Sequence, residues 1–145
     1  MKEQDINKHL RRTLIATAGL ALALGVATPA NATEFEGQVS SKDVAGCHVD
    51  LVVKDYDSTQ TYYAQGVFYA DSSVNNGDVC HMWLERRTLS GGYQWTQVSG
   101  MHYLHDSSGD STYWYWDGPG YRVEACAAKF RASGAFVGQA CTSEY

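Results

Sequence analysis

The sequence predicts an all-β protein, with about seven or eight antiparallel strands packed as a sandwich. Three observations support this class. Residues 33–145 are rich in Tyr, Trp, Val and Thr, which favour strands. Short runs of these residues are separated by turn signals at intervals of roughly 8–12 residues. No long stretch has the apolar spacing of a helix, and the alanine-rich segment Ala125–Ala135 contains turn residues that favour a hairpin.

Predicted strands and turns alternate along the chain. Cys47–Lys54 places Val49, Leu51 and Val53 on one face, and Thr61–Ala70 is dense in Tyr and Phe. The predicted strands are Phe35–Val39, Cys47–Lys54, Thr61–Ala70, Val79–Thr88, Tyr93–Val98, Ser111–Trp116, Tyr121–Arg131 and Ala135–Thr142. Gly, Asn, Asp and Pro favour turns or polar loops, which we expect at Asn75–Asp78, Ser90–Gly92, His105–Asp110 and Asp117–Gly120.

Residues 1–32 have the three parts of a secretory signal peptide. A basic segment precedes the uncharged apolar run Thr13–Val26, and Ala30-Asn31-Ala32 is a small-x-small cleavage site. The apolar run is shorter than the roughly 20 residues that a membrane-spanning helix needs. We therefore expect cleavage after Ala32, release from the membrane and a secreted, extracellular domain of residues 33–145. The basic residues are Lys2, Lys8, Arg11 and Arg12. The alanine-rich run is compatible with a bacterial exporter.

The four cysteines predict two disulfides, because exported domains of this size use them commonly. Cys126 and Cys141 are equidistant from residues 133–134, so a hairpin turn there places them on opposite strands. A strict two-residue turn would make them the wider-spaced kind of pair, so we expect a longer turn or a bulge. Cys47 and Cys80 then remain for each other.

A zinc site is the alternative use of these cysteines, because Cys47-His48 and Cys80-His81 resemble half of a Cys2His2 set. Adjacent residues of a strand point to opposite faces, so each dipeptide offers only one ligand easily. His102 and His105 near the acidic loop at Asp106 and Asp110 form a second possible cation site, with poor spacing. We expect neither a metal nor a cofactor.

The charge of the predicted mature domain argues against some partners. Residues 33–145 have a net charge of about −7. Such a surface disfavours nucleic acid and anionic lipid, both of which attract clustered Lys and Arg. We expect no membrane contact after signal cleavage.

The second half of the domain resembles an immunoglobulin-like β-sandwich over residues 61–142. Asp117 and Tyr121 resemble the tyrosine corner before strand F, and His81–Arg87 resembles strand C with Trp83 as its core tryptophan. Tyr121–Thr142 would be the F–G hairpin. Val123 stands where the family has its second cysteine, so the family's inter-sheet disulfide is missing. The resemblance implies a binding or structural module rather than an enzyme.

An aromatic run is the best candidate for a binding surface. Tyr113 and Tyr115 would face one side of a strand, and Trp114 and Trp116 the other. One pair must then face outward, unless loops or a neighbouring strand of the domain cover it. Tyr93 and Trp95 follow the same alternation. Exposed rings of this kind anchor protein interfaces or stack on sugars.

We expect a non-enzymatic binding module, because no nucleophile elbow, zinc-protease motif or phosphate loop is present. A protein partner is the first hypothesis, with this chain as an adaptor, an inhibitor or a subunit of a secreted assembly. The strand Phe35–Val39 could pack at home or add to a partner's sheet. Polysaccharide binding is the alternative, and polar residues around the rings would favour it. A small secreted hydrolase is a third hypothesis, which a pocket with two carboxylates would favour.

Overall fold

The computed structural model describes residues 35–56 and 61–145, and all regular structure within them is β-strand. These residues contain no helix that could span a membrane. The predicted signal peptide and its cleavage site lie outside the described residues. The strands are β1 (Phe35–Val44), β2 (Cys47–Tyr56), β3 (Thr61–Ala70), β4 (Val79–Thr88), β5 (Thr96–Gln97), β6 (His102–Leu104), β7 (Ser108–Ser111), β8 (Tyr115–Trp116), β9 (Tyr121–Phe130) and β10 (Phe136–Cys141).

Two antiparallel sheets enclose one apolar core, as in a β-sandwich. Sheet A has the order β1-β2-β3, with β7 and β8 both pairing with β3. Sheet B has the order β10-β9-β4, with β5 and β6 both pairing with β4. The all-β class is therefore confirmed, and the described residues contain ten strands rather than the expected seven or eight.

Strand alternation builds the core, and on β2 it does so as the sequence predicts. On β2 the buried side chains are Cys47, Val49, Leu51 and Val53, and the residues between them point outward. The matching inward rows contain Ala64 and Phe68 on β3, Met82 and Leu84 on β4, and Val123, Ala125 and Ala127 on β9. Phe68 is the largest of the side chains that are almost completely buried.

Trp83 corrects one expectation, since it does not lie in the core. Met82 and Leu84 on either side are fully buried, so alternation turns Trp83 to the outer face of sheet B. There its Nε1 donates a hydrogen bond of 2.8 Å to Oε2 of Glu85. The apolar β4 residues, and not the tryptophan, fill the centre.

Several strand boundaries also differ from the prediction. β1 continues to Val44 and pairs with β2 along its length, so in this structure it belongs to the sheet of its own chain. Ala45 and Gly46 have positive φ, which suits the tight two-residue turn that joins the two strands. The expected strand Tyr93–Val98 is reduced to β5, and the expected loop His105–Asp110 includes the start of β7.

Both predicted disulfides are present. Cys126 and Cys141 are directly paired on β9 and β10, with 4.0 Å between their Cα atoms. The register shifts between Phe136 and Gly138, which is the expected bulge. The Cys47–Cys80 bridge joins β2 of sheet A to β4 of sheet B. An inter-sheet disulfide therefore exists after all, away from the positions where immunoglobulin domains have theirs.

The strand order agrees only partly with an immunoglobulin-like domain. In sheet B, β4, β9 and β10 lie in the order of strands C, F and G. In sheet A, β3 follows β2 directly and lies beside it, whereas the immunoglobulin strand in that place comes after strand C. The described architecture is thus a two-sheet, all-β fold of its own strand order.

Candidate functional site

The inward rows of four strands become polar at the same end of the sandwich. Two residues beyond Val53 the β2 row continues with Asp55, which pairs with Tyr62 on β3. Two residues beyond Leu84 the β4 row continues with Arg86, and the β9 row begins at Tyr121 before buried Val123. We call this region the polar end; its residues are Asp55, Tyr62, Arg86, Asp117, Tyr121 and Tyr145.

Direct contacts show that the two sheets meet at the polar end. Arg86 extends from sheet B and donates a hydrogen bond of 2.6 Å from Nη1 to the carbonyl oxygen of Trp116 in sheet A. The backbone N–H of Asp117 donates to the carbonyl of Tyr62, at 2.8 Å. These bonds hold Asp117, which follows β8 directly, at the mouth between the sheets.

A first cleft of about 490 Å³ opens at this mouth. Three tyrosines, two carboxylates and one arginine are among the side chains that line it. Its floor is the Asp117–Gly120 turn, which the sequence predicted and which the N–H of Tyr121 closes onto the carbonyl of Gly118. The charged and aromatic lining residues are Tyr62, Asp117, Tyr121, Arg122, Glu144 and Tyr145. We call this the Asp117 cleft.

The Asp117 carboxyl group of this cleft has an unsatisfied oxygen. Asp117 is only 8% exposed, and its Oδ1 has no hydrogen-bond partner among the described residues. Burial raises the pKa of Asp117 to about 6, although the nearby Arg86 and Arg122 guanidinium groups act to lower it. A buried carboxylate oxygen without a donor costs free energy, which a bound donor would recover.

Asp55 has a second such oxygen, because its Oδ1 is buried without a hydrogen-bond partner in the described part of the chain. Tyr145 lies near both carboxylates: burial raises the pKa of its phenol, and the charges of Asp55 and Asp117 raise it further. Reciprocal backbone hydrogen bonds with Val123 hold Tyr145 beside β9, at 3.1 and 3.4 Å. The segment after β10 thus forms one wall of the Asp117 cleft.

A second cleft, of about 390 Å³, shares the lining residue Tyr121 with the Asp117 cleft. Arg86 and Arg87 line it together with polar side chains of Thr88 and Gln94. The guanidinium of Arg86 lies over the Tyr121 ring, 4.2 Å from its centroid. The Trp116 ring meets Tyr121 edge to face, with 5.4 Å between the centroids. We call this the arginine cleft.

The predicted aromatic strand is interrupted, so its strict alternation is wrong. Val67 pairs with Ser111 and Ala64 with Tyr115, which places one extra residue between β7 and β8. At this bulge the side-chain directions change. Tyr113 and Trp116 are the exposed members, at 86% and 45%. Tyr115 packs against the core instead of pairing with Tyr113 on an open face.

Three of the predicted aromatic residues lie beside two different basic side chains, so the set does not form one patch. Trp114 lies under Lys54, with 4.2 Å from Nζ to the ring centroid. Exposed Tyr93 and half-buried Trp95 are both close to the Arg87 guanidinium, at 5.3 and 5.4 Å. Of the predicted set, Trp116 is the residue that contacts Tyr121 of the Asp117 cleft.

The histidines considered as metal ligands do not converge. Nδ1 of His102 lies 2.7 Å from Oδ2 of Asp110, whereas Nδ1 of His105 lies 2.8 Å from the backbone oxygen of Asp78. The pairing with His102 lowers the pKa of Asp110. His102 therefore links β6 to β7, whereas His105 contacts the residue just before β4.

A carboxyl pair lies on the outer face of sheet B, where Glu85 and Glu124 are cross-strand partners. Burial and the hydrogen bond to Glu85 raise the pKa of Glu124 to about 7. The sulfur atoms of Cys126 and Cys141 are close to these carboxylates, but both belong to a disulfide and are not thiolate ligands. We assign this pair no ligand.

Sequence reasoning did not select Asp55, Asp117, Arg86 or Tyr145 as site residues. It placed Asp117 in a turn and in a tyrosine corner, where the structure has Tyr121 packed against Trp116 and Arg86 instead. One signal was available, since Asp55 continues the apolar β2 row by exactly one alternation period. No family model, curated protein or solved structure matches this chain.

Proposed function

We propose that this protein binds carbohydrate at the polar end. The observation that carries the proposal is Asp117, which lines an open cleft and whose buried Oδ1 has no hydrogen-bond partner among the described residues. A sugar hydroxyl is a donor of the right kind for such an oxygen. At neutral pH most Asp117 side chains are ionised, since the pKa of about 6 lies below 7.

The surroundings of the exposed rings favour sugar over protein at this site. Trp116 is 45% exposed and lies beside Tyr121, with Arg86 above that ring. Aromatic faces flanked by carboxylates and guanidinium groups suit a ligand with both apolar faces and hydroxyl groups. The centre of a protein interface is depleted of charge, unlike the Asp117 cleft.

A glycan array followed by titration calorimetry tests this proposal. The full chain is expressed with its own leader and purified from the culture medium, and positive glycans are titrated. Asp117→Asn should weaken binding by about tenfold, because it replaces a charged acceptor by a neutral one. The matched control is Asp106→Asn, which changes an exposed aspartate of the His105–Ser108 turn and should leave the affinity unchanged.

Three results would contradict the carbohydrate proposal. These are no binding to any glycan, equal affinity of Asp117→Asn, and release of new reducing ends during the titration. The last result would make the protein a hydrolase. Asp117 and Glu144 both line the cleft, but Oε2 of Glu144 accepts two hydrogen bonds from Arg87, at 2.6 and 3.0 Å. This pairing fixes the position of the Glu144 side chain beside Arg87.

Protein binding is a second candidate, favoured by a row of rings on the outer face of sheet B. The His81 ring lies 4.8 Å from Tyr103 and 4.4 Å from Phe130, and Phe130 lies 5.6 Å from Phe136. Tyr103 and Phe136 are 63% and 60% exposed. Replacing both by Ser should abolish a stoichiometric protein complex in the producer's culture fluid, whereas Asp117→Asn should not.

Export of the protein is also part of the proposal. Two disulfides and no free cysteine in the structure are typical of extracellular proteins. Amino-terminal sequencing of the protein from the culture medium should begin at Thr33. An intact amino terminus on cell-associated protein would contradict export.

A further inference from the structure

We infer that the ligand is an acidic oligosaccharide whose carboxylate binds in the arginine cleft while a neighbouring sugar unit occupies the Asp117 cleft. This inference rests on the proposed function and names the class of sugar. It uses a cleft that contains none of the aromatic residues selected from the sequence.

The arginine cleft differs in charge from the rest of the molecule. Two guanidinium groups line it, and its lining contains no acidic side chain. The whole chain has an excess of acidic residues, with a net charge of −5. The two guanidinium groups favour an anion within the cleft, although the surrounding acidic surface disfavours anions at longer range.

Arg86 is the cation of this cleft without a salt bridge, although its guanidinium lies near the Asp117 carboxyl group. It forms no ion pair within the described part of the chain: one N–H bonds to the Trp116 carbonyl, and the guanidinium plane lies over Tyr121. These contacts fix the orientation of the side chain while leaving other N–H donors for a ligand. A planar guanidinium with free donors in a fixed direction suits a carboxylate, which accepts two parallel hydrogen bonds.

Arg87 supports this arrangement from the other side of the strand. Its Nε and Nη2 both donate to Glu144, so its charge is largely balanced and its position is set. Thr88 and Gln94 add hydroxyl and amide groups to the lining. The cleft thus combines one available cation with neutral polar groups, as a sugar carrying a single carboxylate per unit requires.

Tyr121 is the reason for inferring a chain of sugars rather than one acid. Its side chain belongs to the lining of both clefts. A ligand that contacts both Asp117 and Arg86 would pass Tyr121, which lines both clefts and packs against Trp116. Adjacent units of an oligosaccharide meet this requirement, and the exposed Trp116 ring offers them a stacking surface.

Matched acid and ester ligands test the inference. Tetrasaccharides of galacturonate, mannuronate and hyaluronan are titrated into the full chain purified from medium, each beside its carboxyl methyl ester. At least one free acid should bind about tenfold more tightly than its ester. This preference should shrink as salt rises, because screening weakens the contact of Arg86 with the carboxylate.

Arg86→Gln should bring the ratio of acid to ester affinity close to one, and Arg86→Lys should keep part of the preference. The control Arg131→Gln removes an exposed charge in the β9–β10 turn and should not change the ratio. Equal affinity for acid and ester in every pair overturns the inference, as does binding of neutral glycans alone; both results leave carbohydrate binding standing. Failure of every glycan to bind overturns the proposed function itself.

Discussion

The two ends of the sandwich differ in whether their inward polar residues are fully hydrogen-bonded. At the end closed by the Cys47–Cys80 bridge, the β9 row continues from Ala127 to Lys129, which is 7% exposed. Nζ of Lys129 donates to the carbonyls of Ala45 and Ser73, at 3.0 and 3.2 Å. It also lies 3.6 Å from a carboxylate oxygen of Asp78. We call this the closed end.

At the polar end the same alternation leaves groups unsatisfied. Asp55 and Asp117 each retain a buried oxygen without a partner among the described residues. A buried polar group that is fully hydrogen-bonded costs little, whereas one without a partner costs about 1–3 kcal/mol. The closed end is therefore built for stability, and the polar end retains a cost that a ligand would offset.

Removing the inter-sheet disulfide should have the largest effect on this comparison. Cys47→Ala with Cys80→Ala should lower the free energy of unfolding by roughly 2–5 kcal/mol. Chain entropy predicts a loss about 0.7 kcal/mol smaller for the Cys126–Cys141 pair, since the sequence separations are 33 and 15. Urea unfolding measures both. A larger loss of unfolding free energy on removal of the Cys126–Cys141 bridge would show that the inter-sheet bridge is not the more stabilising of the two.

Replacing the inward lysine of the closed end should have the next largest effect. Lys129→Met keeps the apolar stem but leaves the carbonyls of Ala45 and Ser73 without their donor, at a cost of about 2–3 kcal/mol. Lys42→Met is the control, because Lys42 is exposed on β1 and its loss should stay within about 0.5 kcal/mol. Equal effects of the two substitutions would remove the contrast between the ends.

Replacing the inward carboxyl of the polar end should stabilise the protein. The pKa of Asp117 is raised from 3.8 to about 6 on folding, so the folded state binds its proton more tightly. Wild-type stability should therefore fall as pH rises from about 4 to about 6, by up to about 3 kcal/mol from this group. Asp117→Asn should abolish this part of the fall, and the part due to the raised pKa of Glu124 should remain.

The measurement is the free energy of unfolding of both proteins at about pH 4 and about pH 8. Asp117→Asn should be the more stable protein at the higher pH and should gain little at the lower one. Combined with weaker glycan binding, that result would separate a binding role from a structural one. A less stable variant at the higher pH would contradict the unsatisfied state of Asp117.

Adding a Cβ at Gly118, next to the Trp116 ring, should have the smallest effect on stability. A Cβ at Gly118 would overlap the Trp116 indole, so Gly118→Ala must move the ring. We expect a loss of glycan affinity of about tenfold and a shift of the tryptophan fluorescence. Gly100→Ala is the control, because a Cβ there meets nothing within 4 Å. Unchanged glycan affinity in Gly118→Ala would show that Trp116 does not take part in binding.

Local patterns predicted the longer strands and both disulfides. The alternation of Val49, Leu51 and Val53 placed β2 correctly, and the bounds of β3 and β4 match the prediction. The equal distances of Cys126 and Cys141 from one turn predicted their pairing. These features depend on neighbours within one strand or one hairpin, where the period of two applies directly.

The candidate site depends on which distant residues meet. The bulge between β7 and β8 arises where both pair with β3, and it decides that Trp116 is exposed while Tyr115 packs against the core. The direction of Trp83 follows from the burial of its neighbours on β4. The run of four aromatic residues has no signal for the bulge.

By itself, the sequence determined the all-β class, both disulfides and the inward row of β2, because these follow from side-chain period and turn position. Only the tertiary structure decided that the polar residues at the ends of several inward rows meet at one end of the sandwich. Asp55, Arg86 and Asp117 lie far apart in the sequence, and their separation in space depends on how two sheets stack. The hydrogen-bond partners that the folded chain provides decide whether a buried polar group, such as Lys129 or Asp117, stabilises the fold or remains available to a ligand.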